Sequence, residues 1–205
     1  LYTIASRAED LAGNLEHTCN WIPVTVDTNA PDSNIDNLTK LYTKRAYDLK
    51  FEQALLKAKT ENEEISVLMM DLDFFKKVND EHDHLVGSYV LHDVGAIIKR
   101  VCDPYGVSGR YGGEEFITFL PGMSKRKARA LAEQLRREIA NHVFKKGDTS
   151  LHITISIGVS TYPEDGDTPE TLVLKADHAL YEAKRTGRNR VCVSEATREN
   201  MPPQQ

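Results

Sequence analysis

The stretch ISVLMMDLD (65–73) is apolar at every position but one until it meets two aspartates. Successive residues of a strand point to opposite sides of a sheet, so a strand that is apolar on both faces must be covered on both. Helices are therefore needed above and below a sheet with this segment inside it. The chain can supply them: its 205 residues, 40% hydrophobic and 28% charged, suffice for one substantial core and lie outside the composition of disordered chains.

The rest of the pattern agrees. NLTKLYTKRAYDLKFEQALLKAK reads as a helical region, and DFFKKVNDEH as a helix start with Asp73 as its N-cap. In 85–102, Val86, Val90, Leu91, Val94, Ile97, Ile98 and Val101 recur at helical spacing. Leu131, Leu135, Ile139 and Val143 recur every fourth residue, which predicts another helix. LHITISIGVSTY (151–162) alternates as a strand, TPETLVLKADHALYEAKRTG is a helix ended by Gly187 at its C′ position, and RVCVS is a last strand. Alternating helices and strands predict a layered α/β domain over residues 36–195. Ahead of it, residues 1–35 are expected to be an N-terminal helix and a linker. Leu1, Ile4, Ala8, Leu11 and Leu15 make an apolar stripe, which suits either a short helix packed on its own domain or the end of a signalling coiled coil. Two prolines among Asn, Asp and Ser then mark linker chemistry over 22–36, and residues 196–205 form a tail.

A net charge of −5 provides no bulk basic field for nucleic acid. Cys19, Cys102 and Cys192 are odd in number, widely spaced and without C-x-x-C spacing, which suggests a reducing cytoplasm. No apolar run approaches the ~20 residues of a membrane span. His82 and His84 lack a third soft ligand, so a surface position is expected for His82 and a packed one for His84.

Three polar clusters remain. Asp71 and Asp73 end the apolar strand and, two apart, share a face; Asp71 is expected to bind a cation, and Asp73 to cap the next helix. RYGGEEF (110–116) predicts a tight hairpin of type I′ or II′, whose positive φ glycine adopts freely, with Glu114 on a rigid ledge beside it. Should the hairpin lie next to the central strand, Asp71 and Glu114 could share a hard cation such as Mg²⁺. Finally, Lys184 and Arg188 lie four apart in AKRTGRNR, on one face of a helix end, where they could grip phosphate oxygens.

Taken in order, DNLTKLYTKRAY (36–47), DLDFFKKVND (71–80), RYGGEEF and ADHALYEAKRTGRNR (176–190) resemble the GGDEF family of diguanylate cyclases over about 160 residues. The resemblance implies a central, mainly antiparallel sheet wrapped by helices, like class III nucleotide cyclase and polymerase palm domains. It implies condensation of two GTP into cyclic di-GMP with loss of two pyrophosphates. By position, Asp71, the carbonyl of Leu72 and Glu114 would hold two Mg²⁺ or Mn²⁺ ions, and Glu114 is also the family's suggested proton acceptor. Phe74, Phe75 and Lys76 match its phosphate-cradling turn, Gly112 and Gly113 its close backbone approach, Lys184 and Arg188 its triphosphate contacts, and Asn79 a guanine contact. Each domain would hold one GTP, so ring closure implies a homodimer, set by an upstream sensor or receiver region.

Two departures stand out. The family's G-H-x-x-G-D reads DHLVGS (83–88) here, with Asp83 for a glycine and Ser88 for an aspartate. A carboxylate accepts from guanine N1–H and N2–H₂, whereas a serine hydroxyl donates or accepts. The exchange could erase ~1–3 kcal/mol of guanine preference and resembles the hybrid promiscuous branch, which also uses ATP to make 3′,3′-cyclic GMP-AMP. Unaltered guanine selection is the alternative. Secondly, Asp103 and Gly106 occupy the Arg and Asp positions of the family's product-inhibition site, which is therefore expected to be absent; Arg100 and Asp103 form R-x-x-D three residues too early. Competing classes are a catalytically silent domain that binds GTP or a cyclic dinucleotide, and an adenylyl-cyclase-like enzyme.

Overall fold

The computed structural model describes residues 3–4, 22–23, 34–82 and 84–195. The chain divides into two units, Leu1–Ser33 and Asn34–Gln205. In the first, strands β1 (Thr3–Ile4) and β2 (Ile22–Pro23) pair antiparallel, so Ile4 is extended rather than helical. The other residues of the expected helical stripe, Leu1, Ala8, Leu11 and Leu15, lie outside the described residues, as do Cys19, Asp83 and the tail 196–205.

The second unit runs β3 (Tyr42–Thr43), α1 (Lys44–Glu61), β4 (Ile65–Leu72), α2 (Phe75–Glu81), α3 (His84–Cys102), β5 (Val107–Arg110), β6 (Glu115–Pro121), α4 (Lys125–Asn141), β7 (Phe144–Lys146), β8 (Thr149–Leu151), β9 (Ile155–Tyr162), α5 (Pro169–Arg185) and β10 (Val191–Val193). Six strands form one sheet in the order β10-β9-β4-β6-β5-β3. β4 is antiparallel to both neighbours, β6 and β9, and β5 to β6. Only the edge pairs β3–β5 and β9–β10 are parallel. The expected mainly antiparallel sheet wrapped by helices is what the chain builds.

All eight residues of β4 are buried, as a strand apolar on both faces but for Ser66 and Asp71 requires. Leu68, Met70 and Leu72 join a cluster with Val90, Val94 and Ile98 of α3 and Leu135 and Ile139 of α4. Ile65, Val67 and Met69 join a second cluster with Phe51 and Leu55 of α1 and Leu172 and Leu180 of α5. Each such side chain contributes about 1.5–3 kcal/mol on burial, so the most apolar strand takes the centre. Both layers then hold its polar end, Asp71, at one edge of the core.

Three local expectations change. The segment 151–162 is not one strand: β8 pairs with β7 in a separate hairpin, turned at Gly147 with φ +57°, and β9 starts only at Ile155. The intervening Ile153 is buried, which draws the chain inward between them. Val143 lies beyond the end of α4 and is 43% exposed, and Phe144, 1% exposed, takes the core position instead. His84 is exposed at the start of α3 and His82 half-buried, so neither takes the position expected of it.

α5 lies directly on β9. A side chain at Gly158 would run into the Ala176 carbonyl oxygen and the Leu180 amide of the helix. The helix begins at Pro169 under a Thr168 cap that accepts the Thr171 amide at 3.2 Å, and ends where the Arg188 amide donates to the Ala183 carbonyl at 2.9 Å, the six-to-one bond of a glycine-terminated helix. Gly158→Ala must therefore push α5 away from β9. It is expected to lower stability by about 1–3 kcal/mol in urea unfolding; an unchanged midpoint would show that the helix is not seated on that glycine.

Candidate active site at the ends of the central strands

Asp71 occupies the last turn of the pleat in β4, opposite Glu115 of β6 and Ser156 of β9. It is 6% exposed, and Lys184 near the end of α5 places its Nζ 2.7 Å from Oδ2. Burial raises the Asp71 carboxyl above the ordinary value, against the bond and charge of Lys184. Glu114 is raised too, first by burial and then by the negative charge of Asp71, with Lys184 opposing. Two carboxylates thus crowd one lysine at the mouth of the sheet.

The loop that carries Glu114 is tied down from both sides. The Leu72 amide donates to the Glu114 carbonyl at 3.3 Å, joining the loop to the end of β4. From below, Arg110 donates through Nε to the Gly112 carbonyl at 3.2 Å and through Nη2 to the Gly113 carbonyl at 2.7 Å. Its Nη1 reaches Asp36 Oδ2 at 3.3 Å. Asp36 is itself held by the Thr39 amide and hydroxyl, both at 2.8 Å. Burial pushes the Asp36 carboxyl up, but the Thr39 bonds and the Arg110 guanidinium outweigh it and leave it below the usual carboxylate value. Neither Asp36 nor Arg110 was singled out in the sequence; the Asp and Arg of DNLTK and RYGG were legible as residues, but nothing local pairs positions 74 apart.

The glycines do not make the expected two-residue turn. β5 ends at Arg110 and β6 begins at Glu115, so the loop has four residues, and the amides of Tyr111 and Gly112 both donate to the Glu115 carbonyl, at 2.9 and 3.3 Å. Positive φ falls instead on Gly122, Gly147, Gly166 and Gly187. Within the loop, space is short only at Gly112. A side chain at Gly112 would collide with the Glu115 carboxylate, whereas one at Gly113 would meet nothing within 4 Å.

Asp73 is not a helix cap. The N-cap of α2 is Phe74, in the left-handed region at φ +58° and without a side-chain capping bond. Asp73 turns inward instead, 3% exposed, and accepts from Thr154 Oγ1 at 2.6 Å, Ser156 Oγ at 2.7 Å and the Asn189 amide at 3.0 Å. Arg188 is not on a helical face with Lys184, because α5 stops at Arg185 and Thr186 caps it. Arg188 stands in the following turn at φ +61°, with its guanidinium 4.6 Å from the centre of the Phe74 ring. Its positive charge nevertheless acts on Asp71, so the turn delivers it to the same site as Lys184.

Farther out, Phe75 is buried beneath α2, while Lys76 is exposed on it. The Asn79 amide group of α2 lies against Gly87 of α3, the residue before the half-buried Ser88. At the remote turn, Arg100 pairs with Glu138 at 2.8 Å and Asp103 with Lys99 at 2.9 Å, not with each other. A side chain at Gly106 would strike the Phe119 carbonyl.

Among the described residues no group of three or more His, Cys, Asp or Glu gathers as a preformed metal cluster. The donor set nevertheless fits a hard divalent cation. Mg²⁺ takes oxygen ligands and is commonly held by one or two carboxylates together with substrate phosphates, and burial raises both Asp71 and Glu114, with the negative charge of Asp71 adding to it at Glu114. A cation between them would remove that repulsion. The Lys184 ammonium is a positive charge already bonded to Asp71.

The family model for "Diguanylate cyclase, GGDEF domain" matches residues 33–190. The chain belongs to the GGDEF family. Diguanylate cyclase A of Treponema denticola is 42% identical over 140 residues, covering 68% of this chain and 37% of that protein. The response regulator PleD of Caulobacter vibrioides is 36% identical over 158 residues, covering 76% of this chain and 35% of that one. The solved GGDEF domain of DgcB from Caulobacter crescentus, in complex with c-di-GMP, has a TM-score of 0.75 and 32% identity, covering 80% of this chain and 96% of that domain. The chain thus spans nearly all of that solved domain but well under half of these two curated relatives.

The brace under the GGEEF loop gives a direct test. Arg110→Lys keeps the charge but cannot fork between Asp36 and two carbonyls. Hydrogen exchange at residues 111–115 should quicken while the core of β4 stays protected; unchanged exchange there would contradict the brace.

Proposed function

We propose that this GGDEF domain condenses two GTP molecules into cyclic di-GMP. In each half-reaction the 3′-oxygen of one GTP bonds to the α-phosphorus of the other, its proton leaves, and the bond to pyrophosphate breaks. The observation that carries this reading is the convergence of Asp71, Glu114, Lys184 and Arg188 at one end of the sheet in a member of this family. Opposite charges gathered at that point suit a triphosphate and its counter-ions better than a structural ion pair, which needs only one of each.

Asp71, the Leu72 carbonyl and Glu114 would hold two Mg²⁺ or Mn²⁺ ions. Bound there, such ions lower the pKa of the attacking hydroxyl and neutralise charge on the leaving pyrophosphate. Glu114 serves first as a ligand, since a metal-bound carboxylate is a poor base. The main chain at Phe74, Phe75 and Lys76 faces the phosphates, and Lys184 and Arg188 grip the outer ones. The open space above Gly113 leaves the main chain of the loop bare to the nucleotide. Asn79 and Ser88 read the base. With an aspartate replaced by Ser88, adenine is admitted beside guanine, and ATP with GTP yields 3′,3′-cyclic GMP-AMP. Ring closure requires a second copy of the domain, and an upstream sensor or receiver region in the longer protein would set that pairing. The substrates place the reaction in the cytoplasm, and among the described residues no helix is long and apolar enough to cross a membrane. With Asp103 and Gly106 at the inhibitory positions, product inhibition there is weak.

Incubated with GTP and Mg²⁺, the chain should form cyclic di-GMP, and Asp71→Asn or Glu114→Gln should slow it by at least about 100-fold, the scale of several kcal/mol of charge stabilisation. GTP binding without product would mark a receptor rather than an enzyme. Given GTP and ATP in equal amounts, the chain should also release the mixed dinucleotide, and Ser88→Asp should suppress it; cyclic di-GMP alone from the unaltered chain would refute the adenine reading.

A further inference from the structure

We propose that Asp73 is a positioning residue, which holds the turn after α5 in the conformation that presents Arg188 to the phosphates. This rests on the reading of the site just given and adds a residue that it does not use. Arg188 and Asn189 both have positive φ, +61° and +46°, a region that residues with a side chain seldom enter without external support. The support is visible. Arg136 of α4 donates to the Asn189 side-chain oxygen at 2.8 Å, and the buried Asp73 carboxylate accepts the Asn189 amide at 3.0 Å.

Asp73 is built to be immovable. Its amide donates to the Thr154 carbonyl at 2.8 Å, and its carboxylate takes the Thr154 and Ser156 hydroxyls at 2.6 and 2.7 Å. Three bonds therefore fasten it to the start of β9, and the fourth reaches across to the turn. Both carboxylate oxygens are engaged in this way, Oδ2 by Thr154 and Asn189 and Oδ1 by Ser156, so Asp73 is committed to the turn and to β9. The neighbour of the clamped amide is Arg188, whose guanidinium rests over the exposed ring of Phe74, the residue directly after Asp73. Asp73 and Phe74 thus hold Arg188 from two sides, one through its backbone and one through its side chain. Lys184 needs no such device because it stands on the helix itself.

A double-mutant cycle tests this, with binding measured by titration calorimetry in Mg²⁺ against the α,β-methylene analogue of GTP, whose P–C bond cannot release pyrophosphate. Arg188→Ala and Asp73→Ala should each weaken binding about tenfold, as loss of a charge-assisted contact does. In combination they should be no weaker than Arg188→Ala alone, within about twofold. Asp73→Asn can still accept the Asn189 amide while donating to Ser156, and should restore affinity. Thr154→Val, which removes a different bond to the same carboxylate, should leave affinity within about twofold while lowering thermal stability. Should Asp73→Ala fail to fold, Asp73→Ser replaces it, since its hydroxyl is too short to reach the Asn189 amide. Multiplying losses in the double variant would overturn the positioning role and leave the site reading intact. Unchanged affinity in Arg188→Ala would overturn both.

Discussion

The ion pair between Asp71 and Lys184 is the contact on which the rest of the site depends. A carboxylate at the end of a buried, mostly apolar strand is costly unless a cation compensates it, and here the cation comes from α5, at 2.7 Å. The pair draws the helix end over the strand end, and the seat of α5 on Gly158 keeps it there. Its two members are not equally fixed. The Asp71 side chain is 9% exposed and that of Lys184 32%, so the lysine is the freer member, and in the proposed reaction it would be the one to turn toward a phosphate. A pair that opens in this direction leaves behind a buried carboxylate beside Glu114, which is the environment that a divalent cation stabilises.

Around this pair, rigidity is supplied from a distance. The GGEEF loop owes its placement to Arg110 and Asp36 below it, and the turn carrying Arg188 to Asp73 beside it. Both devices use a part-buried or buried carboxylate that already carries hydrogen bonds from its own surroundings before it reaches the functional segment. A flexible arginine or glycine loop needs such support if it is to be ready before the nucleotide arrives.

The sequence made the layers legible because burial is periodic. β4 announced itself by having no polar face, and the stripe of α3 proved buried at every position named. Asp71, Glu114, Lys184 and Arg188 were legible as charged residues in family motifs, and they are gathered at one end of the sheet. What failed was local geometry argued from a motif alone. The Gly-Gly pair suggested positive φ, but the loop spans four residues and neither glycine adopts it; Asp73 had the composition of a cap, but its three side-chain partners lie 81, 83 and 116 residues away. Such pairings come from sheet register and from the path of α5, and no spacing along the chain reveals them. The lost helical face of Arg188 has the same origin, since Gly187 stops the helix and the turn restores the side chain to the site by another route.

On the cation reading proposed above, Lys184 keeps a place at Asp71 that a divalent cation would take once nucleotide is bound. A crystal of the chain grown with Mn²⁺ and a GTP analogue, with the ion located by its anomalous signal, addresses it most directly. The predicted result is manganese between the Asp71 and Glu114 carboxylates, with the Lys184 ammonium moved from Asp71 onto a phosphate oxygen. Manganese elsewhere, or Lys184 still bonded to Asp71 beside a bound nucleotide, would contradict it.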